Sequence, residues 1–126
     1  MKFTLNWLKD HLETSKDLDS IVQTLTNIGL EIENVEDKSK SYSDFTVAEV
    51  LEAKQHPDAD RLKVCSVKTS YGTFQVVCGA PNARVGMKGI FAPENSFIPG
   101  TGIKLKKSKI RGVESCGMLV SEREMG

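Results

Sequence analysis

From Phe45 onward the chain is a succession of short β-prone runs broken by turn residues, and this texture constrains the fold more than any other feature. The runs are FTVAEVLEA, RLKVCSVKT, TFQVVC, KGIFAP and IKLKKSKI. HPDAD, SYG, GAPNARVG, ENSFIPGTG and RGVES separate or follow them. Five strands at a spacing of roughly 10–15 residues describe a small all-β barrel. No helix of crossover length lies between them, which disfavours a parallel α/β sheet.

The first forty residues read differently. Thr4 can cap a helix over residues 4–13, with Leu5, Leu8 and Leu12 on one face. A second helix is expected from Asp17 to Ile28. Leu18, Ile21, Val22, Leu25 and Ile28 keep its period, Asp17 or Ser15 caps it, and Gly29 closes it. LEIEN then alternates, so Leu30 and Ile32 would share one side of a short strand. The polar stretch 36–43 is a linker. The expected organisation is therefore a helix–helix–strand segment over 1–40 and a barrel over 41–126. Two short helices and one strand cannot bury their own apolar faces. At the other end, Ser121 and Glu124 have capping-box spacing, with only two residues left after Glu124. Both ends are expected to belong to something longer, with the barrel truncated at its C-terminus.

Apolar content of 39% and charged content of 27% fit an ordinary globular protein of 126 residues. No apolar run approaches the ~18 residues of a membrane helix. MKFTLNWLKDHLE carries charges within its apolar pattern and has no small-residue cleavage site. Cys65, Cys78 and Cys116 are odd in number and widely spaced, which predicts free thiols and a reducing, cytoplasmic compartment.

The formal net charge of zero conceals an asymmetry. Residues 1–40 hold five lysines against eight carboxylates, and the remainder is net positive. The positive charge gathers in IKLKKSKIRG, where Lys104, Lys106, Lys107, Lys109 and Arg111 have no acid among them. Read with a period of two, Ile103 and Leu105 face inward and Lys104 and Lys106 outward. Such a line of cations either protects a strand edge or forms a track for a phosphate backbone.

Three other motifs invite chemical readings. His56, Asp58 and Asp60 of HPDAD are metal-ligand types, but Pro57 kinks the segment and no second histidine lies near, so an Asp- and Pro-rich turn suffices. The cysteines lack CxxC spacing, and Cys65 and Cys78 sit in strand runs, where cysteine behaves as a small buried hydrophobe. Cys78 most simply ends a strand. After it, Gly79, Pro81 and Asn82 shape a tight bend, which either presents Asn82, Arg84 and Lys88 to phosphate or serves as a structural hairpin. Neither a Walker loop nor a GxGxxG motif is present.

Taken together, MKFTLNWLKDHL, TLTNIGLEIENVE, VAEVLEAKQHPDADRLKVCSV, VVCGAPNAR, IPGTGIKLKKSKIRGVESCGML and SERE resemble, in order and over the whole chain, the N-terminal part of the β subunit of bacterial phenylalanyl-tRNA synthetases. The resemblance implies a five-stranded oligonucleotide-binding (OB) barrel that binds tRNA, inserted into a helical domain of which residues 1–40 are half. It implies tRNA and a synthetase α subunit as partners, within an α2β2 heterotetramer that attaches phenylalanine to tRNA using ATP and magnesium. The family's editing and anticodon-binding domains have no counterpart in this sequence, and its activating site lies in the α subunit. The segment alone is thus expected to be non-catalytic and to need no metal or cofactor. Mapped onto this sequence, the family's tRNA-binding face falls on Asn82, Arg84, Lys88, Lys104, Lys106, Lys109, Arg111, Ser115, Met118 and Ser121. A subunit-docking module with little RNA affinity remains the alternative.

Overall fold

The computed structural model describes all 126 residues, which divide into two compact units, Met1–Glu36 and Asp37–Gly126. In the first unit, α1 (Leu5–His11) starts where the Thr4 hydroxyl accepts the Trp7 N–H at 3.1 Å. Helix α2 (Leu18–Asn27) starts in the same way, with the Asp17 carboxylate accepting the Ser20 N–H at 2.8 Å. Hydrogen bonding from Ser20 holds the Asp17 carboxyl below its ordinary pKa. Both helices begin at the caps their sequences announce.

The short strand expected at 30–34 does not form. The Leu30 N–H instead donates back to the Leu25 carbonyl at 2.8 Å, and the Ile32 N–H to the Thr26 hydroxyl at 3.4 Å. These residues finish the helix, and no neighbouring strand offers them a ladder.

The second unit is mainly β. After a 3₁₀ turn at Lys38–Tyr42 come β1 (Thr46–His56), β2 (Ala59–Thr69), β3 (Gly72–Cys78) and β4 (Lys88–Ala92). Two small hairpins follow, β5 (Phe97–Ile98) with β6 (Ile103–Lys104), and β7 (Ser108–Ile110) with β8 (Val113–Ser115). Strand β9 (Met118–Val120) and a final turn of helix, α3 (Glu122–Met125), complete the unit. One five-stranded antiparallel sheet runs β3-β2-β1-β4-β9 and curls strongly into a half-barrel. No helix of the chain is long and apolar enough to cross a membrane.

The core follows from alternation. Val50 pairs with Val67 and Val67 with Phe74, while Cys65 pairs with Val76, so inward residues stack strand by strand. Ala48, Val50, Cys65, Val67, Val76, Cys78, Ala83 and Phe91 form one buried cluster. The Phe74 and Phe91 rings stack within it at 5.2 Å. Burial raises the Cys65 thiol, with nearby Cys78 adding to the effect, so the thiolate a nucleophile needs is disfavoured.

The fifth strand is not the one the sequence suggests. IKLKKSKI divides between β6 and β7, and β9 takes its place at the sheet edge beside β4. The reason is patterning. Ile103 is 58% exposed, and Lys106 with Lys107 interrupts the alternation, so the run has no continuous apolar side to bury. Met118, Leu119 and Val120 can pair with Ala92, Phe91 and Ile90. The curl is then drawn together along the free edge of β3. There the Cys116 N–H donates to the Gln75 carbonyl at 2.8 Å, and the Gln75 amide to the Glu114 carbonyl at 2.9 Å.

One buried polar atom lacks a partner. Ser96 is 1% exposed and its hydroxyl makes no hydrogen bond. Ser96→Ala is expected to stabilise the protein by about 1 kcal/mol, because the desolvation cost of the hydroxyl disappears with it. A rise in the denaturation midpoint at unchanged slope measures this.

Candidate nucleic-acid interface

Two cationic elements emerge from this scaffold. The first is the turn that follows β3. Ala83 is buried and anchors it, and the Lys63 ammonium, from β2, donates to the Ala83 carbonyl at 2.6 Å. Its far end is fixed to β1. The Gly86 N–H donates to the Val50 carbonyl at 2.8 Å and the Val50 N–H to the Met87 carbonyl at 2.9 Å, where β1 shifts register past Leu51. The bend thus holds exposed Asn82 and Arg84 on a fixed backbone, with the Arg84 guanidinium donating to the Asn82 carbonyl at 3.2 Å.

The second element is the β7–β8 hairpin. Ile110 faces Val113, so Arg111 and Gly112 form a two-residue loop, and both have positive φ, +48° and +85°. This is the type I′ pattern, which matches the twist of the strands it joins. A non-glycine residue in that region carries strain of order 1–2 kcal/mol, tolerated here at the tip of a cationic hairpin. Two hydrogen bonds pin the tip to the β1–β2 turn. The His56 Nε2–H donates to the Ile110 carbonyl at 2.9 Å, and the Arg111 guanidinium donates to the Asp58 carbonyl at 3.1 Å. His56 is buried and its Nδ1 accepts the Asp58 N–H at 3.0 Å, which puts the proton on Nε2. Both ring nitrogens are thereby committed, and HPDAD holds a hairpin in place.

The ten sequence-derived positions separate by environment. Lys104, Lys106, Lys109 and Arg111 are exposed on or beside the hairpins, and Asn82 and Arg84 on the turn. Lys107, between them in sequence, is ion-paired with Glu114. That contact raises the lysine and lowers the carboxyl; Glu114 also faces Lys109 across the hairpin, whose charge adds to the lowering. Lys88 stands apart. It pairs with Glu49 of β1, seven residues from His56, which is roughly 20 Å along the strand.

Ser115, Met118 and Ser121 are engaged internally. Ser115 is 3% exposed, and its hydroxyl accepts the Val77 N–H at 3.1 Å and donates to the Gly117 carbonyl at 3.2 Å. Met118 is a half-buried partner of Ala92 in the sheet. The Ser121 N–H and hydroxyl both donate to the Glu124 carboxylate, at 2.7 and 2.8 Å, in the capping arrangement its spacing predicts. Conversely, His56 and Lys63, which position both elements, lie outside that set. Their signal was present only in part: a histidine beside a proline in a turn, and a lysine early in an apolar strand.

Residues 45–126 match the family model described as "Putative tRNA binding domain". The chain belongs to the tRNA-binding domain family. Over 99% of its length it is 60% identical to the phenylalanine–tRNA ligase beta subunit of Mesorhizobium japonicum, and 55% identical to that of Cereibacter sphaeroides. It spans about one-sixth of the length of these curated relatives, 16% in each case. Among solved structures, this family member resembles a MetRS related protein from Pyrococcus horikoshii, with a TM-score of 0.50 at 24% identity over 69% of this chain and 76% of that one. It also resembles an RNA ligase of Naegleria gruberi, with a TM-score of 0.54 at 17% identity over 64% of this chain and 28% of that one. At these identities the two structures speak to the fold alone.

Proposed function

We propose that the chain is the tRNA-binding part of a phenylalanine–tRNA ligase beta subunit, and that it contributes RNA affinity without catalysis of its own. The observation that carries this reading is a coincidence of limits. The family match covers the same residues that build the curled sheet and both cationic elements. In the whole enzyme, ATP and magnesium serve the activation of phenylalanine, and an α subunit completes an α2β2 assembly; both are parts of the proposal. Recognition by this segment is electrostatic and shape-based. Its exposed cations far outnumber its exposed aromatics in the barrel, Tyr71 and Phe97, so base stacking has few platforms.

The subunit-docking alternative treats the same lysines as solvated edge residues. Titration of the chain with folded tRNA, comparing wild type with the double variant Lys106→Glu and Lys109→Glu, separates the two. The RNA-binding reading expects the double variant to bind at least about 10-fold more weakly at low salt, since two phosphate contacts become two repulsions. Equal affinity of the two proteins would point to docking.

A further inference from the structure

Arg61 lies between the two cationic elements. It forms a wall of two adjoining surface clefts. One, of about 350 Å³, is lined by Ala59, Asp60, Arg61, Leu62 and Arg111. The other, of about 390 Å³, is lined by Gln55, Asp60, Arg61, Lys63 and the turn from Gly79 to Pro81. The first cleft therefore reaches the β7–β8 hairpin through Arg111, and the second reaches the post-β3 turn through Lys63 and Pro81.

The three cations differ in how they are held. Arg111 is fixed by the Asp58 carbonyl and Lys63 by the Ala83 carbonyl. Arg61 is exposed, and the two ion pairs of the chain, Lys54–Glu52 and Lys107–Glu114, do not involve it. A free guanidinium flanked by two pre-positioned cations suits a phosphate, which it can grip with two parallel N–H donors. Asp60 shares both clefts and offsets one of the three charges, which disfavours a small free anion relative to a polyanion that also meets the neighbouring cations.

We propose that Arg61, with Lys63 and Arg111, forms a phosphodiester-binding site that joins the hairpin and the turn into one continuous RNA track. The inference rests on the RNA-binding reading above and adds to it a residue and a path. The backbone of bound RNA runs from the hairpin tip, over Arg61, to the bend carrying Asn82 and Arg84.

The test is a titration of the 126-residue chain with folded tRNA at 50 and 200 mM salt. It compares wild type, Arg61→Ala, Arg61→Lys and the Lys106→Glu/Lys109→Glu double variant, each first shown to keep the wild-type denaturation midpoint to within error. Arg61→Ala is expected to weaken binding about 10-fold at 50 mM salt and to reduce the salt slope by about 0.7–0.9, one phosphate contact. Arg61→Lys is expected to keep the slope and recover only part of the affinity, because a lysine keeps the charge and loses the fork. Wild-type affinity and slope in Arg61→Ala, alongside weakened binding in the double variant, would overturn the Arg61 site and leave the RNA-binding reading standing. A wild-type chain that binds no tRNA overturns both.

Discussion

Gly117→Ala is expected to destabilise the second unit by about 2–5 kcal/mol, a large share of the 5–15 kcal/mol that holds a typical domain together. Two costs add. Gly117 has φ +104°, where any L-residue incurs roughly 1–2 kcal/mol. A methyl group there would also stand 2.6 Å from the Ala92 carbonyl oxygen and 2.7 Å from the Phe91 ring. Neither neighbour yields easily. Phe91 is fully buried and stacked on Phe74, and Ala92 is paired with Met118 one residue beyond the glycine. Overpacking of that kind costs a further 1–3 kcal/mol or so. Gly112→Ala is the matched control. Its φ is +85° but no atom lies within 4 Å of the added carbon, so only the backbone cost of about 1–2 kcal/mol applies. Denaturant midpoints for the two variants measure the difference directly. Equal losses would mean that Gly117 is required for its dihedral angle and not for the close approach of β9 to β4.

Removal of the His56 ring is the second large effect. His56→Ala strands two partly buried backbone groups, the Ile110 carbonyl and the Asp58 N–H, and leaves a void where a 2%-exposed ring stood. The expected loss is about 3 kcal/mol, from unsatisfied polar groups and the cavity together. It is also expected to weaken RNA binding, because the tip of the β7–β8 hairpin loses one of its two tethers and Arg111 with it becomes mobile. His56→Gln can still donate toward Ile110 but cannot reproduce the acceptor facing Asp58, so it should recover part of the stability. If His56→Ala matched the wild type in stability, the hairpin would have to be held by contacts other than this ring.

These expectations also mark how far the sequence could be read. The strands β1 to β3 were legible because each buries mainly one apolar face, and a period of two is what such burial writes into a sequence, while β4 was legible as a short apolar run between turns. The caps at Thr4, Asp17 and Ser121 were legible because a short polar side chain at a helix start has one dominant use. IKLKKSKI misled because Lys104 and Lys106 start with strand spacing while the apolar residues of the run do not form a buried side. The place of the last strand was decided by three residues, Met118–Val120, too few to carry a periodic signal. At the interface, exposed lysines could be read from local charge alone. The tether residues could not, because His56 meets Ile110 and Lys63 meets Ala83 only through the curl of the sheet. Ser115 illustrates the converse. The family resemblance put Ser115 on the RNA-binding face, and only the fold shows its hydroxyl closing the seam between β3 and the end of β8.

The central claim, that this curled sheet displays its cations to an RNA backbone, is tested most directly by the tRNA affinity of the wild-type chain as a function of salt. With about three to five phosphates neutralised, the logarithm of affinity falls with the logarithm of salt at a slope of roughly −2 to −3.5. Affinity should then drop about 20- to 130-fold between 50 and 200 mM salt. No detectable binding at 50 mM, or an affinity indifferent to salt, would contradict the account.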